Sequence, residues 1–196
     1  MIAYGEIIPV AVPDGIAGAW RVESFEVSAS ESRFTQLREA LGHPDAYVPA
    51  GSYKRLTHCG QVVMSNTPFE ARAHWEFFQN AKGRVLINGL GLGMALGAIL
   101  ANDSQVSDVT VVEKSIDVID LVGPTFASDG RVKIVYADAF NFQPPVTARY
   151  DAVWHDIWNT ICPDNLAEMR TLRRKYARRA AWQGCWSQQE IHTHSR

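Results

Sequence analysis

The segment that most constrains the fold of this chain is an apolar run that enters a glycine-rich turn. Residues 84–88 are largely apolar, Gly89, Gly91 and Gly93 then occupy every second position, and an apolar helical run follows at 95–101. This order predicts a buried parallel strand, a tight turn and the start of a helix. Glycine allows the backbone to turn sharply and to approach a ligand with no Cβ in the way. The segment therefore predicts an open α/β sheet whose first loop binds an adenosine-bearing cofactor.

The spacing of the glycines distinguishes two kinds of cofactor loop. A dinucleotide fingerprint has the pattern Gly-x-Gly-x-x-Gly, and its last glycine would fall at position 94, which is Met94. The pattern here is Gly-x-Gly-x-Gly, which resembles the first motif of class I S-adenosylmethionine-dependent methyltransferases. The resemblance implies S-adenosylmethionine as the cofactor, with Gly89, Gly91 and Gly93 in its binding loop. A structural turn with no ligand is the alternative for so short a motif.

The second predicted strand ends in a carboxylate. The β-branched run 108–112 leads into Glu113 and Lys114. Glu113 follows Gly89 at close to the separation, about 20 residues, at which an acidic residue accepts hydrogen bonds from ribose hydroxyls. We therefore assign Glu113 and Lys114 to the cofactor site. The alternative for Glu113 is an ordinary solvated strand end.

The third predicted strand, 131–136, is followed by Asp138, Ala139 and Phe140. This Asp-Ala-Phe segment resembles the third motif of the same superfamily. The resemblance implies that Asp138 receives the adenine amino group and that the backbone amide of Ala139 meets the ring. The alternative is an aspartate that caps the turn after a strand.

The fourth predicted strand, 149–154, breaks into polar residues at its carboxyl end, where His155 and Asp156 follow. In an open parallel sheet the ligand crevice lies beyond these ends. Neighbouring strand residues point to opposite sides, so only one of the two faces the crevice. We predict Asp156 as the catalytic residue, because it occupies the family position, and a structural role for His155. Trp154, inside the strand, is expected in the core.

The residues before the glycine loop predict a small α+β extension. The run 20–27 alternates as a half-buried strand does. Ser28 and Glu31 form a capping box that opens a helix ending near Gly42. Residues 53–64 are typical of a hairpin, with its turn near Gly60.

A second helix is predicted between this hairpin and the glycine loop. Thr67 and Glu70 form a capping box with Pro68 at the first helical position, and the pattern continues to about residue 81. A hairpin, a Glu-x-x-x-His helix and then the glycine motif resemble the spermidine synthase branch of the superfamily. The histidine of that helix approaches the cofactor there, which implies a cofactor contact for His74. The alternatives are that Glu70 only caps the helix and that His74 pairs with it.

Two departures from this branch bear on the reaction. Aminopropyltransferases usually carry an aspartate where this chain has Leu92, and an Asp-x-x-Asp pair where it has Asp156 and Asn159. An amide cannot act as a base. Methyl transfer needs mainly alignment of an already activated sulfonium. The leading prediction is therefore a methyltransferase acting on a small molecule or protein side chain. The alternatives are aminopropyl transfer and a non-catalytic cofactor-binding or assembly protein.

Composition limits the other classes of function. The chain has 196 residues, 46% of them hydrophobic, and a net charge of −2, which offers no global attraction to nucleic acid or to a membrane. Its cysteines are scattered and form no Cys-x-x-Cys pair, so neither a metal site nor a disulfide framework is predicted. We expect a cytoplasmic protein. Six cations within 170–179 make nucleic acid a lesser expectation as partner, because most charge runs are solvated faces.

The C-terminal part completes the predicted sheet. A helix is expected at about 164–180 and a fifth strand at 181–186. The predicted fold is a Rossmann-like open parallel sheet in the order 3-2-1-4-5, shortened at the C-terminus, with helices on both faces. We expect its edge to be completed by the N-terminal segment or by a second subunit of a homodimer. The predicted units are the extension (1–66), the cofactor domain (67–186) and a polar tail (187–196).

Overall fold

The computed structural model describes residues 4–43, 46–101, 105–160 and 162–187, and these form two sheets. The first sheet is antiparallel, with its strands in chain order. Its strands are β1 (Gly15–Ala17), β2 (Trp20–Val27), β3 (Gly51–His58) and β4 (Gln61–Ser65). The predicted half-buried strand and hairpin are therefore both present. At the hairpin turn Cys59 and Gly60 have φ values of 51° and 78°, the left-handed pair that a two-residue turn between twisted strands requires.

Helix α1 (Ala29–Ala40) connects β2 to β3, and its capping box is confirmed. Ser28 Oγ accepts from the amide of Glu31 at 3.2 Å, and the Glu31 carboxylate accepts from the amide of Ser28 at 2.7 Å. The apolar residues at helical spacing do not face a core within the described part of the chain. Phe34, Leu37 and Leu41 are 62%, 56% and 72% exposed.

The second sheet is parallel and contains the glycine loop. Its strands are β5 (Gly83–Asn88), β6 (Val106–Glu113), β7 (Val132–Tyr136), β8 (Tyr150–His155) and β9 (Ala180–Cys185). The helical elements of this part of the chain are α2 (Pro68–Ala73), α3 (Trp75–Asn80), α4 (Met94–Ala101), α5 (Ile116–Val122), a 3-10 turn (Gly123–Phe126) and α6 (Asn165–Tyr176). The strand order is β7-β6-β5-β8-β9. All four pairings are parallel. The predicted order 3-2-1-4-5 is confirmed.

The prediction that the N-terminal segment completes the edge of this sheet is wrong for the described residues. Strands β1–β4 pair only with one another, and β7 and β9 are the outer strands of the parallel sheet. The N-terminal segment instead covers the carboxyl ends of the parallel strands, where Trp20 and Met64 reach the same cleft as Gly91. The predicted tail, 187–196, lies outside the described residues except for Ser187.

Alternate residues of β8 pack on opposite faces of the sheet. Trp154 is 1% exposed and stacks on Phe77 of α3 at 5.2 Å between ring centroids. Val153 belongs to the buried cluster on the other side, with Tyr176 of α6. Helices therefore cover both faces, and the predicted core position of Trp154 is confirmed. Within the described residues, no helix combines the length and apolar character needed to cross a bilayer.

The helix before β5 differs from the prediction in two ways. The second capping box is wrong, because the Thr67 side chain makes no hydrogen bond to the helix start and the Glu70 carboxylate turns inward. The single helix is also interrupted at His74, which separates α2 from α3. The ring Nδ1 of His74 lies 2.8 Å from the carbonyl oxygen of Glu70, which also accepts from the backbone amide of His74. This shared acceptor accompanies the break.

Candidate active site

A cleft lies at the carboxyl ends of the parallel strands and encloses about 800 Å³, open solvent included. Seven of the residues predicted for the site line it: Gly89, Gly91, Glu113, Lys114, Asp138, Ala139 and Asp156. They come from the ends of four strands, β5 to β8. The sequence motifs therefore converge on one place, as the position of ligand sites in open parallel sheets predicts.

The glycine loop passes close to two neighbouring segments. A Cβ on Gly89, where φ is 99°, would collide with the carbonyl oxygen of Asp156. A Cβ on Gly91 would lie 2.9 Å from Met64 Sδ, which accepts a hydrogen bond from the amide of Leu92 at 3.3 Å. The loop thus needs glycine for contacts within the protein as well as for φ values in the left-handed region.

The third predicted glycine lies away from the cleft. A Cβ on Gly93 would meet Val122 and Phe126 at 2.9 and 2.7 Å. Gly93 therefore allows α4 to pack against the segment after α5. Gly93 is not among the residues that line the cleft, although the sequence pattern places it in the cofactor loop.

Glu113 is buried and holds the glycine loop in place. Its Oε2 accepts from the amide of Leu90 and its Oε1 from the amide of Ser115, both at 2.8 Å. The alternative of a solvated strand end is wrong, because Glu113 is only 8% exposed. Each carboxylate oxygen has a further lone pair. The side chain can therefore keep both backbone contacts and still accept from a diol in the cleft.

The segment after β7 has the turn-capping geometry given above as an alternative for Asp138. Asp138 Oδ1 accepts from the amide of Phe140 at 2.6 Å. Lys175, on α6, donates from Nζ to the carbonyl oxygens of Ala139 and Phe140, each at 2.8 Å. Burial lowers the pKa of Lys175, against the attraction of Asp138. Lys175, from α6, thus fixes the segment predicted to meet adenine.

Part of the basic run 170–179, which begins in α6 and extends beyond it, therefore has an internal role. Arg179 Nη1 donates to the carbonyl oxygens of Pro145 and Val146 at 2.8 and 3.0 Å. Lys175 thus ties the segment between β7 and β8 to α6, and Arg179 ties it to the turn that leads from α6 into β9. Arg174 and Arg178 are exposed. At least two of the six cations, Lys175 and Arg179, therefore bind within the protein, and a nucleic-acid partner stays a prediction.

His74 lies behind Asp156 rather than in the cleft. Its side chain is fully buried and does not line the cleft, so the structure does not place it where the resemblance implies a cofactor contact. Nδ1 lies 2.8 Å from the Glu70 carbonyl oxygen, and Nε2 lies 2.9 Å from Asp156 Oδ2. The carbonyl oxygen only accepts hydrogen bonds, so Nδ1 donates to it, and Nε2 donates to Asp156 when that carboxylate is ionised. Burial opposes a charge on the ring, but Asp156 and Glu70 together raise the pKa of His74.

Glu70 is the buried acid that the sequence assigned to a helix cap. Its side chain lines the cleft next to Asp156, is 7% exposed, and accepts from Trp186 Nε1 at 3.2 Å. Burial raises the pKa of Glu70 to about 7. The Asp156 carboxylate raises it as well, while His74 and Trp186 lower it. An acid with a pKa near neutrality is suited to proton transfer.

His155 faces the opposite side of the sheet, as predicted. Asn88 Nδ2 donates to its Nδ1 at 2.8 Å, and its Nε2 lies 3.4 Å from Gln183 Oε1. Burial lowers the pKa of His155 to about 4. The ring is therefore neutral and structural, while its neighbour Asp156 faces the cleft.

The sequence did not predict the walls of the cleft on the side of the first sheet. Trp20, Leu56, Val63 and Met64 come from β2, β3 and β4. Trp158, Asn159 and Trp186 line the side beyond β8 and β9. Trp158 and Asn159 lie in the segment 156–159, which is compared above with a family motif. The other residues belong to no short motif, because their positions depend on how distant parts of the chain pack. Among the residues that the structure describes, no group of His, Cys, Asp or Glu side chains is arranged to hold a metal ion.

The comparisons with known proteins give structural matches only. No family model and no curated protein matches the chain. The chain is similar to the N-methyltransferase NodS from Bradyrhizobium japonicum WM9, with 14% identity and a TM-score of 0.45, over 58% of this chain and 63% of that one. It is similar to the plantazolicin methyltransferase BpumL in complex with SAH, with 17% identity and a TM-score of 0.40, over 57% and 40% of the two chains. For the DhpI–SAH complex the identity is 24% and the TM-score 0.40, over 53% and 49%. The chain thus spans less than two thirds of each neighbour's length.

Proposed function

We propose that this protein binds S-adenosylmethionine in the cleft and transfers its methyl group to a small molecule or an exposed protein side chain. One observation carries the proposal: Gly91, Glu113, Asp138 and Asp156, from four separate strand ends, line the same cleft. In the motif order of class I methyltransferases these are the glycine loop, the ribose carboxylate, the adenine segment and the strand end that faces the reacting groups.

The cleft also suits the charge of this cofactor. Trp158 and Trp186 line it beside Glu70 and Asp156, so indole rings and carboxylates surround the end where the reacting groups would lie. A sulfonium cation is attracted both to aromatic faces and to carboxylates. Because the sulfonium is already activated, the protein has mainly to align the nucleophile, the methyl carbon and the sulfur.

The proposal is tested by calorimetric titration of the protein with S-adenosylmethionine and, separately, with NAD. We expect micromolar binding of the former and none of the latter. Methyl transfer from labelled cofactor into fractions of a cell extract would follow, with Asp156→Ala as the comparison. Binding of NAD alone would contradict the proposal. Silence with both ligands would favour a non-catalytic protein that has kept the fold.

Aminopropyl transfer is the second candidate, and one observation favours it. The Glu-x-x-x-His segment, on which the resemblance to the spermidine synthase branch rests, lies beside the cleft, with Glu70 lining it and His74 bonded to Asp156. Asn159 lines the cleft where that branch has its second carboxylate. An aminopropyltransferase should bind decarboxylated S-adenosylmethionine more tightly than the parent compound. The reverse preference would leave methyl transfer as the reaction.

A further inference from the structure

Two carboxylates line the reacting end of the cleft, but their surroundings differ. Asp156 Oδ2 is bonded at 2.9 Å to the buried imidazolium of His74, so its charge is balanced within the protein. The Glu70 carboxylate accepts only a neutral indole N–H, from Trp186 at 3.2 Å, among its side-chain contacts in the described residues. A proton bound to Glu70 therefore meets no ion pair that it would have to break, whereas a proton bound to Asp156 would disrupt one.

We propose that Glu70, rather than Asp156, is the catalytic base that takes the proton of the methyl acceptor, and that the His74–Asp156 pair positions it. This inference rests on the proposed methyl transfer. It changes the role that the sequence gave to Asp156, which becomes the fixed negative group of an ion pair. It also defines the acceptor chemically, as a nucleophile that arrives carrying a proton, such as an ammonium or a hydroxyl group.

The transfer needs only the acceptor, the cofactor, Glu70 and water. For an ammonium acceptor, the proton on nitrogen passes to the Glu70 carboxylate, and the nitrogen keeps the electron pair. That pair attacks the methyl carbon, the carbon–sulfur bond breaks, and its electrons remain on sulfur as a neutral thioether. The products are a methylated ammonium and S-adenosylhomocysteine. Glu70 then releases its proton to water, which restores the carboxylate.

The charged groups near Glu70 set the sign of its response to pH. His74 and Asp156 face it directly, and their charges oppose each other. Burial keeps the pKa of Glu70 raised to about 7, so the cleft is less negative at pH 6 than at pH 8. The other charged side chains lining the cleft are Glu113, Lys114 and Asp138, on the β6 and β7 side.

The test compares two ligands that differ at sulfur, because the acceptor is not needed for it. S-adenosylmethionine carries a sulfonium charge and S-adenosylhomocysteine does not. Ionised Glu70 should favour the cation, so the ratio of the two dissociation constants should shift towards S-adenosylmethionine by about fivefold between pH 6 and pH 8, for a coupling of about one pKa unit. In Glu70→Gln this shift should disappear. The amino groups of the ligands titrate too, but they do so with both proteins and cancel in the comparison.

Glu76→Gln is the matched control, since Glu76 is an exposed carboxylate on the neighbouring helix α3; it should keep the full shift. A second measurement needs no variant: at pH 7 the wild-type protein should release more protons on binding S-adenosylmethionine than on binding S-adenosylhomocysteine, measured in two buffers of different ionisation enthalpy. This covers the case in which Glu70→Gln does not fold.

The outcomes separate this inference from the proposed function. If S-adenosylhomocysteine binds but the ratio is independent of pH and no extra protons are released, the role of Glu70 is refuted and the cofactor site stands. The same conclusion follows if Glu70→Gln keeps the shift. If neither ligand binds the wild-type protein, the proposed function fails and the base assignment fails with it.

Discussion

Lys175 offers a sharp test of how the proposed cofactor site is held together, because it lies on α6, outside every motif. We predict that Lys175→Met weakens the binding of S-adenosylhomocysteine. Its Nζ donates to the carbonyl oxygens of Ala139 and Phe140, each at 2.8 Å. Methionine keeps most of the length and the apolar stem of lysine but removes both hydrogen bonds. The segment after β7 then loses its attachment to the helix.

The size of the effect follows from these contacts. A hydrogen bond to a charged group contributes about 1.5–3 kcal/mol. Two such bonds do not give their full sum here, because Lys175 is only partly buried and the freed carbonyl groups can bond to water. We therefore expect a net loss of about 1–2 kcal/mol, which corresponds to binding that is weaker by about 5- to 30-fold.

The assay is calorimetric titration with S-adenosylhomocysteine, and Arg174→Met is the matched control. Arg174 is the preceding residue of the same helix and is exposed, so its variant should bind as the wild type does. Proteolysis within residues 139–148 should also become faster in Lys175→Met, since the segment opens more often. Unchanged affinity in Lys175→Met, or an equal loss in Arg174→Met, would refute the reasoning.

Three further predictions concern the glycine loop and the buried histidine. Glu113→Gln replaces one acceptor oxygen by a donor facing the amide of Leu90 or Ser115, so S-adenosylmethionine should bind more weakly by about 1.5–3 kcal/mol in calorimetry; equal affinity would contradict the ribose assignment. Gly91→Ala should lower the free energy of unfolding by about 1–2 kcal/mol, since φ is 51°. In a Met64→Ala background the same substitution should cost at least about 0.5 kcal/mol less, because the new Cβ no longer meets Met64 Sδ. Equal costs in the two backgrounds, measured by denaturant titration, would exclude this contact. The pKa of His155 is lowered from 6.5 to about 4, so the folded state binds this proton only at a lower pH than the unfolded chain does. Stability therefore falls as pH drops below 6.5. We expect His155→Gln to remove about 2 kcal/mol of the loss between pH 7 and pH 5, and an identical pH profile would show that His155 does not contribute it.

The parts of the fold that the sequence predicts are those whose signals are local. Residues 84–93 carry both the hydrophobic run of a buried strand and the glycines of its turn, so the element and the loop follow from one short segment. Glu113 ends β6, Asp138 and Asp156 follow the ends of β7 and β8, and parallel strands bring their carboxyl ends to one edge. Their common position in the cleft could therefore be predicted without knowledge of any distant contact.

The misplaced residues have local patterns that fit more than one structure. Thr67 and Glu70 have the spacing of a capping box, and that spacing is equally compatible with a glutamate that points inward to Trp186. Glu70 and Trp186 are 116 positions apart in the chain, so only the packing of β9 beside β8 decides between the cap and the inward position. The sequence likewise predicts only a charged face for the basic run that contains Lys175. Its acceptors belong to a segment that no pattern in α6 identifies.

The two sides of the cleft are therefore specified differently. The side of Glu113 and Asp138 is built by residues at or just after the ends of β6 and β7, so the formation of the parallel sheet largely places them. The opposite side combines residues of the first sheet, such as Met64, with Glu70 and Trp186 from two further segments. Its shape depends on contacts between distant parts of the chain. In the proposed methyl transfer the acceptor reacts beside Glu70 and Asp156. We therefore expect substitutions on this side, such as at Met64, to change which nucleophile is accepted more than they change cofactor affinity.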